Sequence, residues 1–316
     1  MVVLLGGAGY VGSEFARHLA GRGLKFVAPT RAEVNYTDFT VLREFLAKTR
    51  PEFLINSAGY TGKPNVDACE VNKADTLQGN TLFPAAVAHA CASLNIPFGH
   101  VSSGCIYSGA KVASEGQARV ERDLTRPELQ KLLRKNPGSF HGFIESDEPN
   151  FTFRQPPCSF YSGTKALAEE ALRGVGQHYI WRLRIPFDRF DSPRNYLSKL
   201  RNYAKVYDNV NSLSHRADFV AACVDLWQKR AAFGVYNVTN PGFVTSRQVV
   251  EMMQRIPALA RPFEFWNDDA EFYRVAAKTP RSNCIMDVTK LLKAGVAMRP
   301  VEEALADSLT HWAPIK

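Results

Sequence analysis

Tyr161 and Lys165 stand four residues apart in the run Phe160-Tyr161-Ser162-Gly163-Thr164-Lys165. On a helix that spacing puts both side chains on one face. In water a tyrosine keeps its proton until about pH 10, and a cation one turn away favours the phenolate. Such a pair can pass a proton to or from a carbonyl or hydroxyl oxygen near neutral pH. The spacing alone is common on ordinary helices, so its meaning depends on the elements that would position it.

Three of those elements can be read from the chain. The apolar run Val2 to Leu5 reads as a buried strand, and Ser13 to Leu19 has helical periodicity. Between them Gly6, Gly9 and Gly12 form a G-x-x-G-x-x-G turn that also contains Tyr10 and Val11. A turn of this kind lets backbone approach a pyrophosphate and aims a helix N-terminus at the anion. A second strand, Phe53 to Ile55, runs into Asn56 and the small residues Ser57, Ala58 and Gly59, then Tyr60 and Thr61. Small residues there let a nucleotide lie against the backbone. A third strand, Pro97 to Val101, ends in Ser102-Ser103. Open α/β sheets place ligands at strand C-termini, so the Ser103 hydroxyl could bind the oxygen that Tyr161 protonates.

Other stretches refine this picture. The strand Leu24 to Ala28 ends in Pro29-Thr30-Arg31. An NAD enzyme usually presents an acid there, whereas Thr30 and Arg31 suit a 2′-phosphate and favour NADP(H) over NAD(H). Asn80 falls inside a long predicted helix, Asp75 to Ala92, where Asn is unfavourable; it is expected to fix backbone beside the cofactor. Val41 to Lys48 reads as a helix. Residues 108–150 look polar and irregular, a surface excursion with one helix at Pro127–Lys135. Tyr179 to Pro186, which includes Ile185, is a strand expected to close beside the nicotinamide. Ser192-Pro193-Arg194-Asn195 starts a helix with Lys199 on its second turn. A helix from Asp218 to Lys229, a strand from Gly234 to Val238 and a helix from Ser246 to Ile256 capped by Ser246 follow.

Strands and helices alternate to about residue 186, which implies an α/β fold with a doubly wound parallel sheet of Rossmann type. The expected organisation is a cofactor-binding domain over residues 1–186 and a smaller C-terminal substrate lobe over 187–316, with residues near 215–240 returning to the sheet.

The chain has 316 residues, 45% hydrophobic and 22% charged, and a formal net charge of +8. It lacks the Lys/Arg blocks with interleaved aromatics of a nucleic-acid surface, so the charge fits scattered surface residues and phosphate sites. No apolar run approaches the ~20 residues of a membrane span. The start shows no basic segment or cleavage site of a secretory leader. The six cysteines show no metal spacing and read as reduced thiols of a cytoplasmic protein.

The glycine turn, Ser103 and Tyr161-x-x-x-Lys165, in this order, resemble the extended short-chain dehydrogenase/reductase family. Within it, Thr61 to Glu70, Ser103-Gly104-Cys105-Ile106-Tyr107, Arg182 to Pro186 and Pro193-Arg194-Asn195 resemble the nucleotide-rhamnose synthase group, the bifunctional 3,5-epimerase/4-reductases. The main departure is residues 110–145. The resemblance implies a UDP- or dTDP-4-keto-6-deoxy-glucose substrate, with NADPH reducing carbon 4. Ser103, Tyr161 and Lys165 would carry the reduction, and Cys105 and Lys199 would serve as the epimerising acid and base. It also implies substrate contacts at Thr61, Asn65, Ser103 and Asn195, with Arg281 on the diphosphate.

A plain 4-reductase, which would need neither Cys105 nor Lys199, stays open. So do an epimerase without net reduction and a non-catalytic NADP(H)-sensing subunit. A 4,6-dehydratase is disfavoured because Gly104-Cys105 stands where such enzymes carry Asp-Glu. No nucleic-acid or membrane partner and no metal is expected. The sequence leaves the assembly open, and the resemblance admits a homodimer paired through two helices of each copy.

Overall fold

The computed structural model describes residues 1–63, 65–114 and 117–314; Pro64, inside the Thr61 to Glu70 stretch, lies outside them. The centre is a six-stranded sheet built from β1 (Val2–Leu5), β2 (Phe26–Val27), β3 (Phe53–Asn56), β4 (Phe98–Ser103), β8 (His178–Leu183) and an edge strand, Gly234–Asn237. From that edge the order is Gly234–Asn237, β8, β4, β3, β1, β2, and every pairing is parallel. The register sets Leu4 opposite Ile55, Ile55 opposite Gly99 and Val101 opposite Trp181. All four residues of β1 and of β3 are buried, as expected for strands covered on both faces.

Helices supply the cover. On one face α1 (Tyr10–Gly21) brings Phe15 and Leu19, and α9 (Arg216–Gln228) brings Phe219, Val220 and Cys223, onto Phe53 and Trp181. On the other, Leu42 and Leu46 of α2 (Phe39–Thr49), Phe83 and Val87 of α5 (Phe83–Ser93) and Leu172 of α7 (Phe160–Leu172) pack on Val3, Leu54 and Phe98. The strand Gly234–Asn237 therefore belongs to the main sheet, and α9 is the helix that precedes it. A second apolar core beyond β8 holds Phe187, Leu197, Leu213, Val249 and Leu305.

Four expectations change. The segment after β4 is ordered rather than irregular. β5 (Ala110–Ser114) pairs antiparallel with β6 (Gln117–Glu121) and with β7 (Phe140–His141). Beside them α6 (Pro127–Lys135) turns Leu129 and Leu133 onto Val112, Phe140, Val210 and Ile285. These strands hide because β6 is exposed from Gln117 to Val120, so its sequence lacks an apolar face. β2 is only two residues long, at the sheet edge. The helix beginning at Ser246 is α10 (Ser246–Gln254), and its cap is Thr245, whose hydroxyl accepts from Gln248 N while the Gln248 side chain accepts from Thr245 N.

The fourth change concerns the predicted long helix. It runs as α4 (Lys73–Leu77), one widened π turn over Gln78–Leu82, and α5. A short α3 (Ala68–Val71) precedes it. Asn80 lies in the π turn, the kind of single-turn bulge that relieves a local conflict in a helix.

Candidate active site

A cleft of about 560 Å³ lies at the C-terminal ends of β1, β3, β4 and β8. Its floor begins at the glycine turn. Gly6 has φ +78°, and a Cβ there would lie 2.6 Å from Ala58 N; a Cβ on Gly12 would lie 2.0 Å from Gly6 O. These two glycines let the turn close on the β3 loop. Gly9 stands at the N-cap of α1 without a side-chain cap, and Gly9, Tyr10 and Val11 line the cleft. The α1 N-terminus is thus left for an anion. Arg216 donates to Tyr10 O at 3.0 Å and lies 4.5 Å from the Tyr10 ring centre.

Ser57, Ala58 and Gly59 line the next wall. The Ser57 hydroxyl donates to Leu5 O at 2.7 Å. The neighbouring Tyr60 backbone is held by Asn80, whose amide accepts from Tyr60 N at 2.9 Å and donates to Tyr60 O at 2.8 Å. Asn80 is fully buried and acts on the cofactor wall by fixing the Tyr60 backbone, the role expected of it. Thr30 and Arg31 are exposed and do not line the cleft. The Thr30 N–H and hydroxyl both donate to Glu33, at 2.8 and 2.9 Å, and hold its carboxyl below the usual range. The end of β2 therefore carries an acid that the Thr30-Arg31 pair alone did not suggest.

The reacting groups converge from three elements. β4 ends at Ser103, whose Oγ accepts from Cys105 N at 3.2 Å and caps the turn Gly104–Ile106. α7, capped by Ser159, presents Tyr161, Ser162 and Lys165 to the cleft. α8 (Tyr196–Asn202) presents Lys199. Ser103, Cys105, Tyr161, Lys165 and Lys199 all line one space, although Ser103 and Lys199 are far apart in the chain.

Burial governs their protonation. It pushes the Tyr161 phenol well above its ordinary range; Cys105 adds to the rise, while Ser103 and Arg184 pull the other way. The main downward influences are thus Ser103 and Arg184, not Lys165, and Tyr161 stays a protonated donor at neutral pH. Burial lowers Lys165 to about 8; its Nζ donates to Val101 O at 3.3 Å. Burial raises the Cys105 thiol against the opposing Ser103, Ser162, Arg184 and Lys165. Burial, then Arg194, lowers Lys199. A protonated thiol and an amine shifted towards its neutral form are suited to act as acid and base.

Thr61, Asn65 and Arg281 also line the cleft, and so does Ile185, at φ +37°. Positive φ at a β-branched residue is strained backbone. Arg281 is clamped by both Asp67 oxygens, at 2.7 and 2.8 Å. Asn195 is outside the cleft and fully buried. It caps α8 by accepting from Leu197 N at 3.0 Å and donates to Asp188 O and Phe190 O, each at 2.7 Å. Its expected substrate contact is corrected to positioning of the Lys199 helix.

Sequence reasoning passed over four residues here. Asp67 holds Arg281. Glu70 accepts from Phe160 N, at the start of α7, and from the Thr279 hydroxyl, both at 2.7 Å. Arg194 donates to Thr61 Oγ1 at 2.9 Å. Arg184 lines the cleft without a carboxylate partner among the described residues. The signal for Arg184 was a second arginine in an otherwise apolar strand end. Among the described residues no cluster could hold a metal ion, and no helix is long and apolar enough to cross a membrane.

Sheet order, glycine turn and the Ser–Tyr–Lys set at the strand ends together define a dinucleotide-binding α/β fold of the short-chain dehydrogenase/reductase type. The chain matches the RmlD substrate binding domain model over residues 1–131. It is 29% identical over 304 residues to the bifunctional dTDP-4-dehydrorhamnose 3,5-epimerase/dTDP-4-dehydrorhamnose reductase of Arabidopsis thaliana, covering 96% of this chain and 90% of that one. It is 32% identical over 257 residues to an Arabidopsis thaliana trifunctional UDP-glucose 4,6-dehydratase/UDP-4-keto-6-deoxy-D-glucose 3,5-epimerase/UDP-4-keto-L-rhamnose-reductase. That match takes in 81% of this chain and only 34% of the trifunctional protein's length. In structure it resembles the UDP-rhamnose synthase of Acanthamoeba polyphaga mimivirus, with a TM-score of 0.80 at 20% identity and 98% of each chain covered. In sequence and in fold the chain is thus similar to nucleotide-sugar epimerase/reductases and reductases.

Proposed function

We propose that this chain is a 3,5-epimerase/4-keto-reductase that converts a UDP- or dTDP-4-keto-6-deoxy-glucose to the nucleotide-L-rhamnose, with NADP(H) as cofactor. The observation that carries this reading is that Cys105 and Lys199 line the same cleft as Ser103, Tyr161 and Lys165. A plain reductase has no use for that second acid–base pair.

The cleft fits a dinucleotide. The uncapped α1 N-terminus at Gly9 suits a pyrophosphate, and Ser57, Ala58 and Gly59 offer a wall of small side chains. Bound there, a reduced nicotinamide supplies hydride to carbon 4. Ser103 holds the substrate oxygen, and Tyr161 gives it a proton. Lys165, titrating at about 8, supplies positive charge beside them below that pH. Before reduction the 4-keto group acidifies the hydrogens on carbons 3 and 5. Lys199 removes a proton from one face of the carbon, and the Cys105 thiol returns one from the other. Arg281, set in place by Asp67, is assigned to the substrate diphosphate, with Thr61 and Asn65 beside it. Exposed Arg31 favours the 2′-phosphate of NADP(H), and Glu33 opposes it.

The test uses the purified chain, a dTDP- or UDP-4-keto-6-deoxy-glucose and NADPH in D₂O. NADPH absorbance is followed and the product sugar is read by NMR. A rhamnosyl product deuterated at carbons 3 and 5 is expected, with the label lost in Cys105→Ala and Lys199→Ala. NADPH oxidation without label at those carbons would reduce the assignment to a 4-reductase.

A further inference from the structure

Arg184 follows β8 directly and is 4% exposed. Its stem lies against the turn between Ser103 and Cys105: a Cβ built on Gly104 would come 3.5 Å from Arg184 Cδ. Its Nη2 donates to the side-chain oxygen of Asn211 and to the Ser282 carbonyl, both neutral acceptors. Its Nε is buried with no partner among the described residues. None of the ion pairs formed among the described residues involves it, although the residue lines the cleft. A buried cation with an orphaned donor is costly unless an anion reaches it.

We propose that Arg184 acts through Cys105, bearing the negative charge left on the sulfur when the thiol proton is given up. The proton passes from Sγ to the substrate carbon, the electron pair of the enolate forms the new C–H bond, and the thiolate remains beside the guanidinium. This rests on the reading of Cys105 as a proton-handling group.

Other charges and titrating groups face the same thiol. α7 contributes Tyr161 and Lys165, and Cys158 precedes that helix. Cys69 comes from α3 and Cys284 from the segment bridged to Gly109. Lys199 of α8 lines the same cleft. Of the cations, Lys165 can shed its proton near pH 8, whereas a guanidinium remains charged throughout. Arg184 is therefore the fixed charge among the cations that act on the thiol.

The test is site-resolved alkylation, read by mass spectrometry of the Cys105 peptide between pH 6 and 10. Arg184→Gln should move the midpoint for Cys105 up by about one unit, a tenfold slower reaction at pH 8, while Arg184→Lys keeps most of the wild-type profile. Overlapping wild-type and Gln profiles, with the Tm unchanged, would overturn the proposal. A wild-type Cys105 that stays unmodified to pH 10 would do the same. A second measurement needs no variant. In the wild type, anionic iodoacetate should be favoured over neutral iodoacetamide several-fold more at Cys105 than at Cys158, and equal ratios would also overturn it. These readouts do not depend on turnover, so they separate this proposal from the deuterium test of the function.

Discussion

Arg182 and Arg184 lie two residues apart at the end of β8, at 3% and 4% exposure, and the fold treats them in opposite ways. Arg182 meets the Glu169 carboxylate of α7 through Nε and Nη2, at 2.8 Å for the shortest contact, and gives Nη1 to the Tyr107 hydroxyl at 3.0 Å. Burial disfavours its charge, but Glu169 more than offsets this. Among the described residues Arg184 has only amide and carbonyl oxygens. Lys165 belongs with Arg184: it is 5% exposed and bonds the Val101 carbonyl. One buried cation is matched to a carboxylate of the scaffold. The two that line the cleft are left with net charge directed at whatever enters.

The comparison can be broken by deleting the charges. Arg182→Met strands Glu169 in the interior and should cost about 3–5 kcal/mol in denaturant unfolding. Arg184→Met leaves no carboxylate behind and should cost about 1 kcal/mol or less. Equal losses would erase the distinction.

Lys165 sharpens it through pH. Its folded value, about 8, lies below the ordinary 10.5. Between those values the unfolded chain keeps a proton that the folded chain has released, so this group makes stability rise with pH. Its penalty is complete below about 8. Lys165→Met should therefore unfold at higher denaturant than wild type at pH 7, and the difference should fade by pH 10.5, while reductase activity is lost.

The smallest effect is expected at Asp67, which matches an arginine that also lines the cleft. Arg281 and Asp67 keep 21% and 14% exposure in their side chains, so the pair is partly solvated. Asp67→Asn should leave stability nearly unchanged and raise the KM for the nucleotide sugar by about threefold to tenfold, about 0.7–1.4 kcal/mol. An unchanged KM would show that Arg281 needs no clamp.

What could be read from the sequence was what short-range pattern records. The buried strands β1, β3 and β4, the glycine turn, α6 and the Tyr161 helix all show in runs of fewer than about twenty residues. Lys199 was placed on the right turn of α8 because Asn195 is a recognisable cap. Less legible was which polar residues are consumed by the scaffold. Asn195 looks like a ligand group in the sequence, yet it is buried and spends its amide on backbone, as Asn80 does. The difference between Arg182 and Arg184 depends on Glu169, Asn211 and Ser282, which approach from distant parts of the chain. β5 to β7 stayed hidden because β6 is an exposed edge and the residues flanking them, Gly109 and Phe143, bridge to the distant Cys284 and Met286.

The π turn at Asn80 has a consequence for phase. Each residue of an α-helix advances by about 100°. Phe83, Val87 and Cys91 must face the sheet, while Asn80 must reach the Tyr60 backbone and Thr81 the carbonyl of Thr164, at 2.8 Å. A regular helix cannot hold both sets at their angles, and the widened turn absorbs the mismatch. Deleting one residue from Gln78–Leu82 would let the helix close into a regular spiral. The two halves would keep their relative phase, because the widened turn holds one residue more than a regular one, but Asn80 and Thr81 would shift within it and the grip on the cofactor wall would be lost while the core face of α5 stayed.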